Sequence, residues 1–142
     1  SWHAFAEEPL VVIAAADATG DSDSEVLGRY PFIQFHPETY AGRQIFALLQ
    51  DRGIRVNPQM NIDSLESIAM LVANGLGVSI VPQRCIGRPF PDGIKVLPFG
   101  STAVVRVVGV IERVANPKRE LTQLLTTELI DYCQNAENIL TK

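Results

Sequence analysis

NIDSLESIAMLVANGLGVSIVP, residues 61–82, writes a helix start, a glycine stop and a strand within one short segment. Asp63 followed three residues later by Glu66 is a capping-box pattern, in which side chains satisfy backbone donors left open at a helix start, and it predicts a helix from Ser64. Leu65, Ile68, Ala69, Leu71 and Val72 then recur at the spacing of one helical face. Gly75 stands where a left-handed terminating residue is needed, so the helix stops near Asn74. Residues 77–82 form an apolar run closed by a proline that cannot donate to a sheet ladder, and they read as a buried strand.

Downstream, residues 82–93 are rich in proline and glycine and predict a loop, followed by a short β run over 94–97. Residues 103–112, AVVRVVGVIE, carry five valines and read as a buried strand, the longest of the chain. Arg106 interrupts that run, which is tolerable where it faces solvent, a partner or a carboxylate, and solvent or an interface is the favoured setting. Asn116 as cap with Pro117 at the first helical position opens a last helix to about residue 138, with Leu121, Leu124, Leu125, Leu129 and Tyr132 as its apolar stripe.

Upstream, residues 54–60 are a candidate strand, and Pro58 confines it to an edge or puts the proline at a strand end. Ile45, Phe46, Leu48 and Leu49 share a helical face that ends at Gly53, and the β-prone run 32–36 precedes that helix. Residues 17–25 form a polar linker or loop, and residues 10–15 a strand. Strands alternating with helices imply an α/β unit with a mainly parallel sheet over residues 17–102. Residues 1–16 and 103–142 read as the remnant of another lobe, two antiparallel strands plus the last helix, joined to the first unit by two crossing strands that form a hinge.

A chain of 142 residues with 46% hydrophobic content can bury one sizeable core. A net charge of −4 without a basic cluster offers no footprint for a phosphate backbone, so nucleic acid is not expected to bind this chain directly. The longest apolar run, residues 10–16, is far below the roughly 18–20 residues of a membrane helix, which predicts a soluble chain with no membrane partner. Cys85 and Cys133 are too few and too distant in sequence for a disulfide framework and read as packing residues of a reducing compartment. The start, SWHAFAEEPL, has no export-signal pattern, so the cytoplasm is the expected location.

The succession EPLVVI, PFIQF, GRQIFALLQDRG, SLESIAMLVANGLGVSIVP, a valine strand and a last helix resembles the effector-binding domain of LysR-type transcriptional regulators. Its most specific part is LVANGLGVSIVP, which is similar to the family's aliphatic-x-x-Gly-x-Gly-aliphatic-x-x-Pro signature. The resemblance covers essentially the whole chain but only the later two thirds of the family's sensor domain. It implies a fold like type 2 periplasmic binding proteins, an α/β lobe plus an incomplete second lobe, with a small-molecule effector in the cleft. It also implies homo-oligomerisation, and DNA contact only through a helix-turn-helix absent from this chain. A transport-type solute-binding protein shares that fold and is the alternative.

Helix starts beyond the carboxyl ends of strands present unpaired N–H groups and partial positive charge to anions. Such positions here are Phe35, His36, Glu38, Thr39, Tyr40, Ala41 and Gly42, then Asn61, Asp63 and Ser64, then Val81, Pro82 and Gln83. They are the candidate site for a small, anionic effector. Family members often carry a hydroxyl residue before the Gly-Arg pair, where this chain has Ala41; Thr39 or Tyr40 is the available substitute. Tyr40 reads equally as a pocket wall or a packing residue, and Trp2 as a packing anchor.

QFHPE, residues 34–38, matches the His-Pro-Glu element of class I glutamine amidotransferases, but that chemistry needs an upstream cysteine and none precedes Gln34. His3 and His36 have no cysteine or carboxylate at ligand spacing, so no metal is expected. With no nucleophile and base pair and no glycine-rich phosphate loop, neither catalysis nor a cofactor is expected.

Overall fold

The computed structural model describes residues 1–86 and 90–140. β1 (Trp2–Ala15) is its longest strand, fourteen residues, and starts well before the expected residue 10. Its first half pairs antiparallel with β6 (Val105–Ile111), from Trp2 opposite Ile111 to Pro9 opposite Val105, with a register break between Ala4 and Ala6. Its second half pairs antiparallel with β5 (Ile94–Pro98), and β4 (Ser79–Pro82) is its neighbour in the same sheet. Paired glutamates and a proline hide residues 2–9 from a strand reading, because a distant strand supplies the ladder that holds them.

The described residues form two compact units: unit 1 holds residues 1–9, 82–86 and 105–140, and unit 2 holds residues 10–81 and 90–104. In unit 2, β2 (Pro31–Phe35) and β3 (Asn57–Ile62) pair in parallel. β3 starts three residues later than expected and pairs with β2 alone, and its register slips just after Pro58, as a residue without an N–H requires at an edge. Val78 bridges Phe32 in parallel, and the buried Ser79 hydroxyl donates to the Ile33 carbonyl at 2.7 Å.

Two helices of unit 2 follow the sequence closely. α2 (Tyr40–Asp51) is capped by Thr39, and α3 (Leu65–Ala73) by Ser64, whose hydroxyl accepts from the Ser67 amide at 3.2 Å. The cap is therefore Ser64 and not Asp63: the side chain that reaches the amide three residues on is the serine's. Gly75 ends the segment at φ 76°, and Gly77 comes so close to the Pro31 carbonyl that a Cβ there would lie 2.5 Å from its oxygen. The two glycines of GLG thus serve different needs, a left-handed turn and a close backbone approach.

A helix begins inside the expected polar stretch 17–25 and runs past it: α1 (Asp23–Arg29), capped by Ser22 and burying Val26 and Leu27. Two adjacent apolar residues in a seven-residue helix give too little pattern. Asp23 accepts from Arg52 Nη1 at 2.6 Å and from the Gly100 amide at 2.8 Å, while the Arg52 guanidinium stacks 4.8 Å from the Phe99 ring centroid. The expected loop over 82–93 has no helix and, past Pro82, no strand in its described residues; residues 87–89 of that loop lie outside them.

Both buried apolar clusters belong to unit 2. One gathers Leu10, Val12, Leu27, Phe32, Ile45, Leu49 and Ile80; the other gathers Val11, Ile13, Ile33, Ile68, Val72 and Val81. Unit 1 is built differently. β6 is neither the longest strand nor buried: Val105, Val107 and Ile111 are exposed. α4 (Arg119–Leu140) turns Leu121, 63% exposed, with Leu124, Leu125 and Tyr132 outward. Asn116 Oδ1 accepts from the Lys118 amide at 2.9 Å just ahead of that helix.

Charged pairs organise unit 1. Arg106 faces a carboxylate rather than solvent: Nε donates to Glu8 Oε2 at 3.0 Å, and Nη2 donates to the same oxygen. His3 Nε2 lies 2.9 Å from Glu112 Oε1, a partner invisible to sequence spacing because it sits on the far side of the chain. Asn116 and His3 hold the Glu112 carboxyl below its usual range despite the opposing effect of burial. Trp2 is half exposed and lies over Gly109, where a Cβ would meet its ring at 2.6 Å.

Candidate functional site

Parallel pairing puts the carboxyl ends of β2 and β3 side by side, Gln34 opposite Asn61 and Phe35 opposite Ile62. The His36 amide donates to the Ile62 carbonyl at 3.0 Å, which ties the two exits together just ahead of the α2 and α3 starts. Two helix N-termini are therefore launched from adjacent strand ends, as parallel α/β units require.

At the first start, the Thr39 hydroxyl donates to the His36 carbonyl at 2.7 Å and accepts from the Gly42 amide at 3.0 Å. The Arg43 amide reaches the Thr39 carbonyl. The Tyr40 and Ala41 amides are the first-turn donors that these bonds do not use. Gly42 is fixed by space, since a Cβ would lie 2.2 Å from the His36 carbonyl oxygen. Arg43 Nη1 donates to the Glu38 carbonyl, bringing a guanidinium to the same turn. At the second start, Ser64 Oγ accepts from the Ser67 amide and the Ile68 amide donates to the Ser64 carbonyl.

The remaining candidates divide. His36 Nδ1 accepts from the Glu38 amide at 3.3 Å, a local turn bond. Tyr40 is 76% exposed, so it is not a packing residue. Glu38, Asn61 and Asp63 are exposed, and Ala41 is half-buried. The Val81 side chain packs in the core beside Ile33 and Val72, leaving only its backbone to a ligand. Pro82 is buried, and the Gln83 amide donates to the Pro9 carbonyl at 2.8 Å.

A groove of about 340 Å³ between α2 and β3 was not legible in the sequence. Phe32, Ile45 and Leu49 floor it, with Gln34, Gln50 and Arg55 as its polar wall. Its apolar residues read as ordinary core, and only the positions of Phe46 and Arg55 around it show a surface hollow. Among the described residues, no group of three or more His, Cys, Asp or Glu side chains could hold a metal ion, and no helix is long and apolar enough to cross a membrane.

The mixed parallel and antiparallel strands, with capped helices rising from adjacent strand ends, define an α/β fold of the periplasmic-binding-protein type. The chain belongs to the LysR substrate binding domain family, whose profile matches residues 1–134. Solved structures share the fold. The regulatory domain of CcmR from Synechocystis PCC6803, in complex with 2-PG, superposes with a TM-score of 0.73 at 20% identity over 95% of this chain and 67% of that one. An OxyR C206 mutant from Corynebacterium glutamicum gives 0.72 at 21% identity over 98% of this chain and 45% of that one. The effector binding domain of QuiR in complex with shikimate gives 0.64 at 17% identity, over 97% and 66%. This chain thus spans about two thirds of those regulatory domains and under half of the OxyR chain. A comparison with curated proteins finds no sequence match.

Proposed function

We propose that the chain is the effector-sensing part of a cytoplasmic LysR-type transcriptional regulator and holds a small anionic effector at the joined starts of α2 and α3. The observation that carries this is the side-by-side exit of β2 and β3, with the His36 amide bonded to the Ile62 carbonyl and two hydroxyl-capped helices beginning there. Unused first-turn amides at Tyr40 and Ala41 and the positive ends of two helix dipoles favour negative charge, and Arg43 adds a cation. Relatives of the same fold were solved with 2-PG and with shikimate, which supports a small-molecule ligand. DNA is read by a helix-turn-helix outside this chain, and the chain performs no catalytic step.

An effector shifts the regulator only by its differential affinity for two arrangements, so Thr39 and Ser64 act through the state they favour. In an effector titration of the regulator, Thr39→Ala and Ser64→Ala each weaken the response while the fold persists. Unaltered titrations in both variants would remove these helix starts from the site.

Unit 1 is the oligomerisation and lobe-completing part in this reading. Exposed Leu121, Leu124 and Leu125 line one shallow hollow on α4, and Val107 and Ile111 of β6 are exposed as well, which is more apolar surface than scattered single residues give. The chain therefore self-associates through that surface; light scattering at micromolar concentration checks it, and a strictly monomeric mass contradicts it.

A further inference from the structure

Unit 1 holds two thiols against each other that are 48 residues apart in sequence, the Sγ atoms of Cys85 and Cys133, 2.7 Å from one another. Both are free, and both are buried, 8% and 3% exposed. The pair is positioned rather than loosely packed. The Cys85 amide donates to Glu8 Oε1 at 3.2 Å, the Cys85 thiol faces the same oxygen at 3.7 Å, and the other Glu8 oxygen is held by Arg106. A strand carboxylate thus fixes the segment after β4 while α4 presents Cys133 to it.

We propose that Cys85 and Cys133 are a dithiol that a peroxide converts into an intrachain disulfide, stapling the segment after β4 to α4. Cys85, the more exposed of the two, is attacked first: its sulfur takes one peroxide oxygen, the O–O bond breaks, and the thiol proton leaves with the other oxygen as water. Cys133 sulfur then displaces hydroxide from the Cys85 sulfenic acid, the S–O bond breaks as the S–S bond forms, and the second thiol proton completes a second water. One hydrogen peroxide is reduced by two electrons to two waters, and two thiols are oxidised to one disulfide.

Chemistry at this pair is slow. Burial first, then Cys133 and the Glu8 charge, push the Cys85 thiol up to about 12, so thiolate is scarce at neutral pH. The staple is therefore a response to sustained oxidation, and its formation accelerates as pH rises.

The test exposes the folded protein to hydrogen peroxide, quenches in acid, denatures, alkylates with N-ethylmaleimide and weighs the intact chain. The expected product takes up no maleimide, weighs about 2 Da less than the reduced chain, yields a peptide linking residues 85 and 133, and returns to two alkylated thiols after dithiothreitol. Cys133→Ser is expected to stop at a sulfenic acid on Cys85 that dimedone traps. Should that variant not fold, the peptide map of the unaltered chain decides alone. Two alkylatable thiols after prolonged oxidation, links between chains instead of within one, or sulfinic acid at one cysteine with the other untouched would each overturn the proposal.

Discussion

Unit 2 closes its apolar side chains into two buried clusters, while unit 1 leaves Val105, Val107, Leu121, Leu124 and Leu125 exposed and buries Glu8, Glu112 and its two cysteines. Phe32 and Ile33 belong to the two clusters on either side of their strand, whereas Leu121, Leu124, Leu125 and Tyr132 of α4 join neither cluster and are exposed. The same kind of residue is therefore placed in opposite ways: in unit 2 it supplies folding energy, and in unit 1 it stands exposed.

The contrast has measurable consequences in denaturant unfolding. Phe32→Ala removes a fully buried ring and costs about 3–5 kcal/mol, while Leu124→Ala in unit 1 changes stability by about 0.5 kcal/mol or less. Equal losses would erase the distinction between the units.

Asp23→Ala breaks the pair with Arg52 and orphans the Gly100 amide, a loss of about 2 kcal/mol at pH 7. Burial works to raise the Asp23 carboxyl, but Arg52 and the amides of Gly100 and Ser24 outweigh it and hold the carboxyl below its usual value. A depressed folded-state pKa contributes stability above the unfolded value, about 3.9, and loses it as pH falls through the folded value. Unfolding midpoints recorded from pH 7 to pH 2 should fall in the wild type across that acid window and flatten in Asp23→Asn.

Thr39→Ala and Ser64→Ala each cost about 1 kcal/mol through the lost cap. A far larger loss would mean that the helix starts carry more of unit 2 than their caps. The smallest stability change belongs to Leu121→Glu with Leu125→Glu, within about 0.5 kcal/mol, yet this pair should lower the self-associated mass in light scattering. An unchanged mass would place the association elsewhere.

Strong local patterns made unit 2 legible. The residue 61–82 segment gave helix, glycine stop and strand within a few residues of their places because cap, periodicity and glycine all point the same way. α1 was hidden because its two buried residues make no stripe, and the first half of β1 because its ladder comes from β6, a hundred residues on. The α4 stripe was legible as apolar but its exposure was not, since periodicity marks a face without saying what covers it. In the candidate site, Thr39 was legible as a hydroxyl ahead of a helix and Ser64 as a residue at a helix start, but the Ser64 cap, the bond from His36 to Ile62 and the groove along α2 show only in the folded chain. The contacts of Cys85 with Cys133 and of Glu8 with Arg106 were invisible for the same reason: both join residues far apart in sequence.

The most direct measurement follows the backbone amides by NMR while the chain is titrated with 2-PG, shikimate and inorganic sulfate. Effector capture at the joined helix starts predicts that the Tyr40, Ala41 and Leu65 amides move together and saturate at one affinity with at least one of these anions. Saturable shifts confined to other residues, or all three amides unmoved at millimolar concentrations of every anion, would contradict it.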